Sequence, residues 1–220
     1  MAEARRRLVS LTSPTWIVAE RQTAGVGRRG RAWRDPAGNY AATLVLEVEG
    51  GPAAMALRSF VAALAVYDAA AATGADGLSL KWPNDVLRHG GKLSGILLEA
   101  LDARTVAIGV GVNLAAAPSR DEVEEGALAP ASLDGRIGAI EFHALLDAAF
   151  CDREESLRNE GFDATRDAWL ARAAGLGARI RARLPGKELH GTMEGIDAQG
   201  HLVLRTPQGI RHLPAADIAL

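Results

Sequence analysis

The chain is 220 residues long, 48% apolar and 24% charged, with a formal net charge of -2 at pH 7. That length supports one sizeable core or a core plus a small module, and the near-neutral balance argues against a dedicated nucleic-acid binder, which carries a strongly basic face. A single cysteine, Cys151, excludes an internal disulfide and a cysteine-built zinc site.

Residues 1–13 (MAEARRRLVSLTS) are good helix formers up to Ser13-Pro14, so the chain is expected to begin inside a helix whose upstream part is missing. No long apolar stretch follows the basic residues, which argues against a signal peptide. No apolar run approaches a membrane span, and the expected address is cytoplasmic, with no membrane partner. Residues 16–20 (WIVAE) read as a short apolar strand running into Gln22 and the stretch AGVGRRGRAW, residues 24–33. There Gly25, Gly27 and Gly30 permit close backbone approach, while Arg28, Arg29, Arg31 and Arg34 offer planar forks suited to phosphate or carboxylate. A phosphate-holding loop, an RNA-binding patch and a solvated turn all fit. The spacing is neither a dinucleotide fingerprint nor a P-loop, because no helix-opening G-x-G-x-x-G and no Gly-Lys-Ser/Thr are present.

Residues 35–39 form a turn. Residues 43–49 (TLVLEVE) put Leu44, Leu46 and Val48 on one face, as in a strand of a one-sided sheet. From Pro52, Leu57, Phe60, Val61, Leu64 and Asp68 recur at helical spacing until Thr73-Gly74.

The densest stretch is residues 79–99, SLKWPNDVLRHGGKLSGILLE. Leu78, Leu80 and Trp82 alternate as in a half-buried strand, and Pro83 stops the ladder, leaving Asn84 and Asp85 at a bend. Residues 86–88 resume extended chain, His89-Gly90-Gly91 turns tightly, and Lys92 opens a strand through Ile96 and Leu98. A hairpin brings Lys81, Asn84, Asp85 and Lys92 together beside Gly95. Two lysines, a carboxylate and an amide suit a site that holds an anion and moves a proton. A surface hairpin with solvated charges would carry the same letters.

Residues 105–114 (TVAIGVGVNL) place Val106, Ile108, Val110, Val112 and Leu114 on one face and Ala107, Gly109, Gly111 and Asn113 on the other. The glycine-bearing face needs something pressed against it, a flat ligand or a second layer of backbone. Asn113 would offer its amide there. Residues 115–138 are irregular, with an acidic run over 121–125. Phe142, Leu145, Leu146, Ala149 and Phe150 mark a helix that includes Cys151 as small core filler, and Trp169 and Leu170 mark another after Gly161. Beyond Gly175-Leu176-Gly177, alternating strands over 178–184, 188–196, 201–206 and 210–213 read as a small β-barrel. The five histidines are not expected to cluster, and no G-x-S-x-G nucleophile signature occurs.

Three blocks, in order and spacing, resemble the biotin protein ligases. AERQTAGVGRRGRAW (residues 19–33) is similar to that family's GRGRRGR-x-W loop. KWPNDVLRHGGKLSGILLE (81–99) is similar to its KWPND followed by K-x-x-GIL, and IGVGVNL (108–114) to its GIGIN-type strand. The likeness covers residues 16–220. It implies an α+β fold: a mixed-sheet catalytic domain of the class II synthetase/biotin ligase type over 1–174, then an SH3-like β-barrel over 175–220. Two departures stand out. Val26 occupies a position where the family has arginine, and a Ser-Thr-Asn segment that helps bind biotin belongs at or before the start of this chain. There is no room for a helix-turn-helix, so no DNA binding is expected.

The resemblance also implies the chemistry. Biotin and Mg·ATP would give biotinyl-5′-AMP, and the biotin would pass to a lysine of a biotin carboxyl carrier protein. Lys92, Asp85 and Arg28 would be catalytic. Gln22, Gly25, Lys92, Gly95, Gly109 and Gly111 would bind biotin. Arg28, Arg29, Gly30, Arg31, Trp33, Lys81, Asn84 and Asn113 would bind the nucleotide, with Trp33 either covering the adenine or lying in the core. The Mg2+ would ride on the phosphates with no protein ligand. Relatives dimerise through the sheet edge, which leaves a homodimer open. Two other readings are a lipoate or octanoate ligase or transferase of the same fold, and a catalytically impaired biotin-binding protein.

Overall fold

The computed structural model describes residues 1–11, 13–124 and 126–220. Strands β1 (Thr15–Ala19), β2 (Tyr40–Glu47), β3 (Leu78–Lys81), β4 (Asp85–Arg88), β5 (Gly91–Ala100) and β6 (Thr105–Val112) form one sheet in the order β1-β2-β6-β5-β4-β3. Every neighbouring pair is antiparallel. Among the described residues parallel pairing is confined to isolated bridges, Leu80 with Ala173 and Lys92 with Pro130.

One face of this sheet is closed by helices α2 (Gly51–Ala72) and α3 (Ala139–Glu160), with α4 (Phe162–Leu170) packed against both helices. Helix α2 carries alanine and valine where it meets the sheet on one side and α3 on the other, so residues 61–66 are all buried. Small side chains let the helix lie close to the strands, where Leu44, Leu46, Val86, Ile96 and Ile108 complete the core. At 22 residues, α2 is long and apolar enough to cross a membrane, which corrects the expectation that no run approaches that length. Its position is that of a core helix.

The other face is covered at one end by helix α1 (Ala2–Arg7), whose Ala4 packs with Val45 and Ala107 against Met1, Leu11 and Ile17. Strand β2 is therefore buried on both faces through Leu46, where a one-sided sheet was expected. Alternation failed as a guide because β2 is an interior strand with helices on either side.

Strands β3, β4 and β5 form a meander. The β4–β5 turn is centred on His89 (φ 49) and Gly90 (φ 76), both left-handed, while Gly91 already belongs to the strand. The turn thus lies one residue earlier than a Gly90-Gly91 pair would suggest.

The C-terminal strands β7 (Arg179–Leu184), β8 (Lys187–Ile196), β9 (Leu202–Thr206), β10 (Gly209–Leu213) and β11 (Asp217–Ala219) form a second antiparallel sheet, ordered β10-β9-β8-β7-β11. Sequence alternation missed β11, which is three residues long. Among the described residues no pairing joins β10 to β11, so the expected closed barrel is an open sheet of SH3-like type. Ile180, Met193, Leu204 and Ile218 join the same core cluster as the first sheet. The Trp82 indole N–H donates to the Gly200 carbonyl (3.0 Å), tying the Trp82-Pro83 corner to the β8–β9 turn.

Two smaller expectations are corrected. Cys151 is exposed on α3, because the apolar stripe of that helix runs through Phe142, Leu146 and Phe150 and leaves it outside. His201 and His212 do meet, both on Asp197 Oδ2, at 3.3 and 2.8 Å.

Candidate active site

Registry across the first sheet builds the site. Directly paired residues share a face. Pairing runs Ala19 to Ala41, Ala41 to Gly111, Gly111 to Gly95, Gly95 to Asp85 and Asp85 to Lys81. One row therefore holds a floor of alanine and glycine that ends in a carboxylate and an ammonium. Lys92 joins this face through a defect. Leu87 pairs with Lys92, but Val86 pairs with Ser94, so β5 has one extra residue, Leu93. Without this β-bulge Lys92 would share the core face with Ile96. With it, Lys92 Nζ lies 2.7 Å from Asp85 Oδ1.

The local field is positive. Burial pushes the Lys81 ammonium below its usual range; Asp85 opposes that shift and Lys92 adds to it. Burial likewise lowers the Arg28 guanidinium, with Asp217 and Asp85 opposing and Arg29 and Arg31 adding. Lys81, Lys92 and Arg28 thus converge on two carboxylates, Asp85 and Asp217, in a partly dehydrated cleft. An anion entering there would relieve the repulsion among the cations.

The glycine-arginine stretch is a small hairpin over this floor. Trp33 N–H donates to Gly25 O (2.9 Å), Gly27 N–H to Arg31 O (2.7 Å), and Val26 bridges Ala32. A Cβ at Gly25 would lie 2.6 Å from Gln22 Oε1 and 2.7 Å from Trp33 O, so this crossing requires glycine. Gln22, Gly25 and the Trp33 backbone are thereby gathered. The Trp33 indole lies on the glycines: a Cβ at Gly111 would be 2.7 Å from its Cε2, and one at Gly95 would be 3.2 Å from its Cζ3. Lys92 Nζ stands 5.7 Å from the ring centroid. Trp33 is thus half-buried over the floor and outside the core. Gly109 lies apart from it, under the Met1 side chain, and the Met1 ammonium donates to Thr43 Oγ1 (2.9 Å).

Two residues expected on the nucleotide have other work here. Asn113 is buried, and its amide donates to Ala131 O (2.9 Å) and Lys92 O (3.4 Å), so it braces the loop that follows β6. The Asn84 amide donates to Ile96 O and clamps the Pro83 corner to β5. Val26, the departure from the family loop, is 54% exposed. Arg29 and Arg31 point outward to Asp217 of β11 and, for Arg31, also to Glu124 (3.2 Å). Sequence reading missed Asp217 altogether. It lies 186 residues beyond Arg31, and nothing in its neighbours marks it. Among the described residues no cluster of His, Cys, Asp or Glu could hold a metal. The Cys151 thiol is pushed up by partial burial, then by Asp147 and Asp152, so it is no activated nucleophile.

Comparison with known proteins places this geometry. Residues 1–113 match the biotin/lipoate A/B protein ligase family, and residues 175–220 match the biotin protein ligase C terminal domain. The chain is 49% identical to a biotin–[acetyl-CoA-carboxylase] ligase of Paracoccus denitrificans over 99% of its own length and 95% of that protein. It is 34% identical to a bifunctional ligase/repressor of Bacillus subtilis, covering 94% of this chain and 66% of that one. The fold superposes with a TM-score of 0.81 on a biotin protein ligase from Aquifex aeolicus in complex with biotin and ATP, at 24% identity over 98% of this chain and 93% of that one. A biotin protein ligase from Leishmania major gives 0.67 at 22% identity, over 97% and 94%. The chain belongs to the biotin protein ligase family.

Proposed function

We propose that this chain activates biotin with ATP to biotinyl-5′-AMP and passes the biotin to a lysine of a carboxylase carrier protein. The observation that carries the assignment of roles is the Lys92–Asp85 pair beside the Gly95–Gly111 floor, beneath an arginine hairpin. Biotin's carboxylate and the triphosphate repel, so cations must bring them together. Lys92 would bridge the carboxylate and the α-phosphate as the new P–O bond forms and pyrophosphate leaves. Lys81 and Arg28 would add to that field, and Arg29 and Arg31, held on Asp217, would fix the hairpin that carries Arg28. Gln22 and Gly25 would hold the biotin head, with Gly95 and Gly111 under its ring. Trp33 must then slide from the glycines to a place beside the ligand. Mg2+ would travel on the nucleotide, since the site carries no acidic cage of its own.

In the second step the carrier amine attacks the acyl carbon and AMP leaves. That amine is a cation at neutral pH and must lose its proton. Once Lys92 turns to the anhydride, Asp85 Oδ1 is free to accept it. The glycine-arginine hairpin excludes water from the labile anhydride meanwhile. The two units would divide at residue 174/175, and the cytoplasm, where ATP and the carrier are found, is the natural setting. Asn113 and Asn84 would act by holding the scaffold.

The test separates the half-reactions. Protein, Mg·ATP, biotin and a carrier domain are incubated, with pyrophosphate and carrier mass followed independently. Both should rise, and both should fall in Lys92→Ala. Pyrophosphate without transfer would leave activation intact and remove the ligase reading; transfer of lipoate in place of biotin would redirect it to the lipoyl class.

A further inference from the structure

We propose that Asp217, the first residue of β11, is a positioning residue for the arginine hairpin: it takes Arg29 and Arg31 together and so holds the hairpin in place over the Lys81–Asp85–Lys92 floor. The inference rests on the ligase reading and assigns the C-terminal sheet a direct part in it.

The geometry is specific. A single oxygen, Asp217 Oδ2, accepts from Arg29 Nη1 and from Arg31 Nη2 (2.8 Å). Asp217 is itself fixed, paired with Arg183 of β7 and followed by the buried Ile218. The hairpin tip needs an outside hold. Arg29 has φ 58 and Gly30 φ 75, and a left-handed arginine is a costly conformation that surroundings must impose. Three arginines within four residues also repel, and one shared carboxylate offsets that for two of them. The other anchor, Glu124 on Arg31, pairs two exposed side chains and holds little. The alternative is that Asp217 merely stands where a phosphate will sit. The two roles differ in sign, because a placeholder competes with ATP and a positioner assists it.

Asp217→Asn keeps the shape and removes the charge. Its KM for ATP should rise about tenfold while the KM for biotin stays within about twofold, measured by biotin-dependent ATP–pyrophosphate exchange. Asp217→Glu should restore ATP binding to within about threefold. Trypsin should cut after Arg29 and Arg31 about tenfold faster in Asp217→Asn, at an unchanged Tm. A purely architectural role would lower Tm and leave the ratio of the two KM values alone. An unchanged or lowered KM for ATP, or unchanged cleavage in the folded variant, overturns the proposal. Should Asp217→Asn fail to fold, Arg29→Gln breaks the contact from the loop side, and cleavage after Arg31 must then quicken or the proposal is wrong. If the wild type shows no biotin-dependent exchange, the ligase reading falls instead, and the trypsin comparison still decides Asp217.

Discussion

The sharpest stability test lies between α2 and α3, where Arg58 and Glu154 form a buried ion pair. Arg58 donates to Glu154 through Nη2 (2.7 Å) and Nε (3.1 Å), and the two residues are 9% and 6% exposed. Arg58 Nη1 is also satisfied, by Ala54 O at 2.9 Å. Glu154→Ala strands a guanidinium without its counter-charge inside a helix interface. Breaking such a pair from one side costs about 3–5 kcal/mol. For a chain of this size each kcal/mol is worth about 2–4 °C, so Tm should fall by about 6–20 °C in a calorimetric scan. Arg158 also bonds Glu154 (2.9 Å), but from an exposed position whose loss adds only about 0.3–0.5 kcal/mol. The companion is Arg58→Met with Glu154→Leu, which swaps both charges for apolar groups and should recover most of the loss, since desolvation of the pair offsets much of its attraction. A single-mutant cost below about 1 kcal/mol would mean that water reaches the pair, and the buried-charge argument would be refuted.

Three further outcomes follow from the site. Lys92→Gln should lower the adenylation kcat by about 10²–10³-fold, with the Tm nearly kept, as read by biotin-dependent pyrophosphate exchange; a change only in KM would show that Lys92 binds without assisting the chemistry. Lys81 is a buried cation whose proton is held less tightly folded than unfolded. Between its lowered folded pKa and the unfolded value of 10.5 the unfolded chain binds more protons, so wild-type stability should climb relative to Lys81→Met as pH rises through that window. Below it Lys81→Met should be the more stable protein, and a urea-midpoint series showing the reverse trend would contradict the assignment. Gly111→Ala places a methyl 2.7 Å from the indole of Trp33. The hairpin should lift, the tryptophan emission should shift red, and KM for biotin should rise; unchanged emission would mean that Trp33 does not rest on that glycine.

Local chemistry was legible in the sequence, and long-range register was not. The glycine-bearing face of β6 was expected to have a flat ligand or a backbone layer pressed against it; in this structure side chains lie there, Trp33 on Gly111 and Met1 on Gly109. The Trp82–Asp85 corner lies where Pro83 was expected to stop a strand. Lys92 does meet Asp85 as the hairpin was expected to bring it, but the means was not legible: one bulged residue, Leu93, moves the β5 side chains before it to the other face. Period-two reading failed at β2, where helix α1 hides a face that alternation would leave to solvent. Asn113 looked like a free amide at a strand end, but its neighbours are carbonyls from residues 92 and 131. Asp217 lay beyond reach, since a three-residue strand has too few positions to show a period.

The cost of the site can be read from its cations. Lys81 and Arg28 are held where burial disfavours their charge, and a methionine would pack at Lys81 without that penalty. Both carboxylates that soften the cost come from elsewhere in the fold, Asp85 from across the meander and Asp217 from the second sheet. Neither hairpin nor meander would hold such a charge density alone, because exposed like charges would simply move apart. The C-terminal sheet prevents that at two points, with Gly200 on the Trp82 indole and Asp217 on Arg29 and Arg31. Cutting the chain after residue 174 should therefore remove more than a neighbouring module. It strips a carboxylate and a hydrogen-bond acceptor from the two segments that carry the cations. The shortened protein should lose the nucleotide site even where its first sheet stays folded.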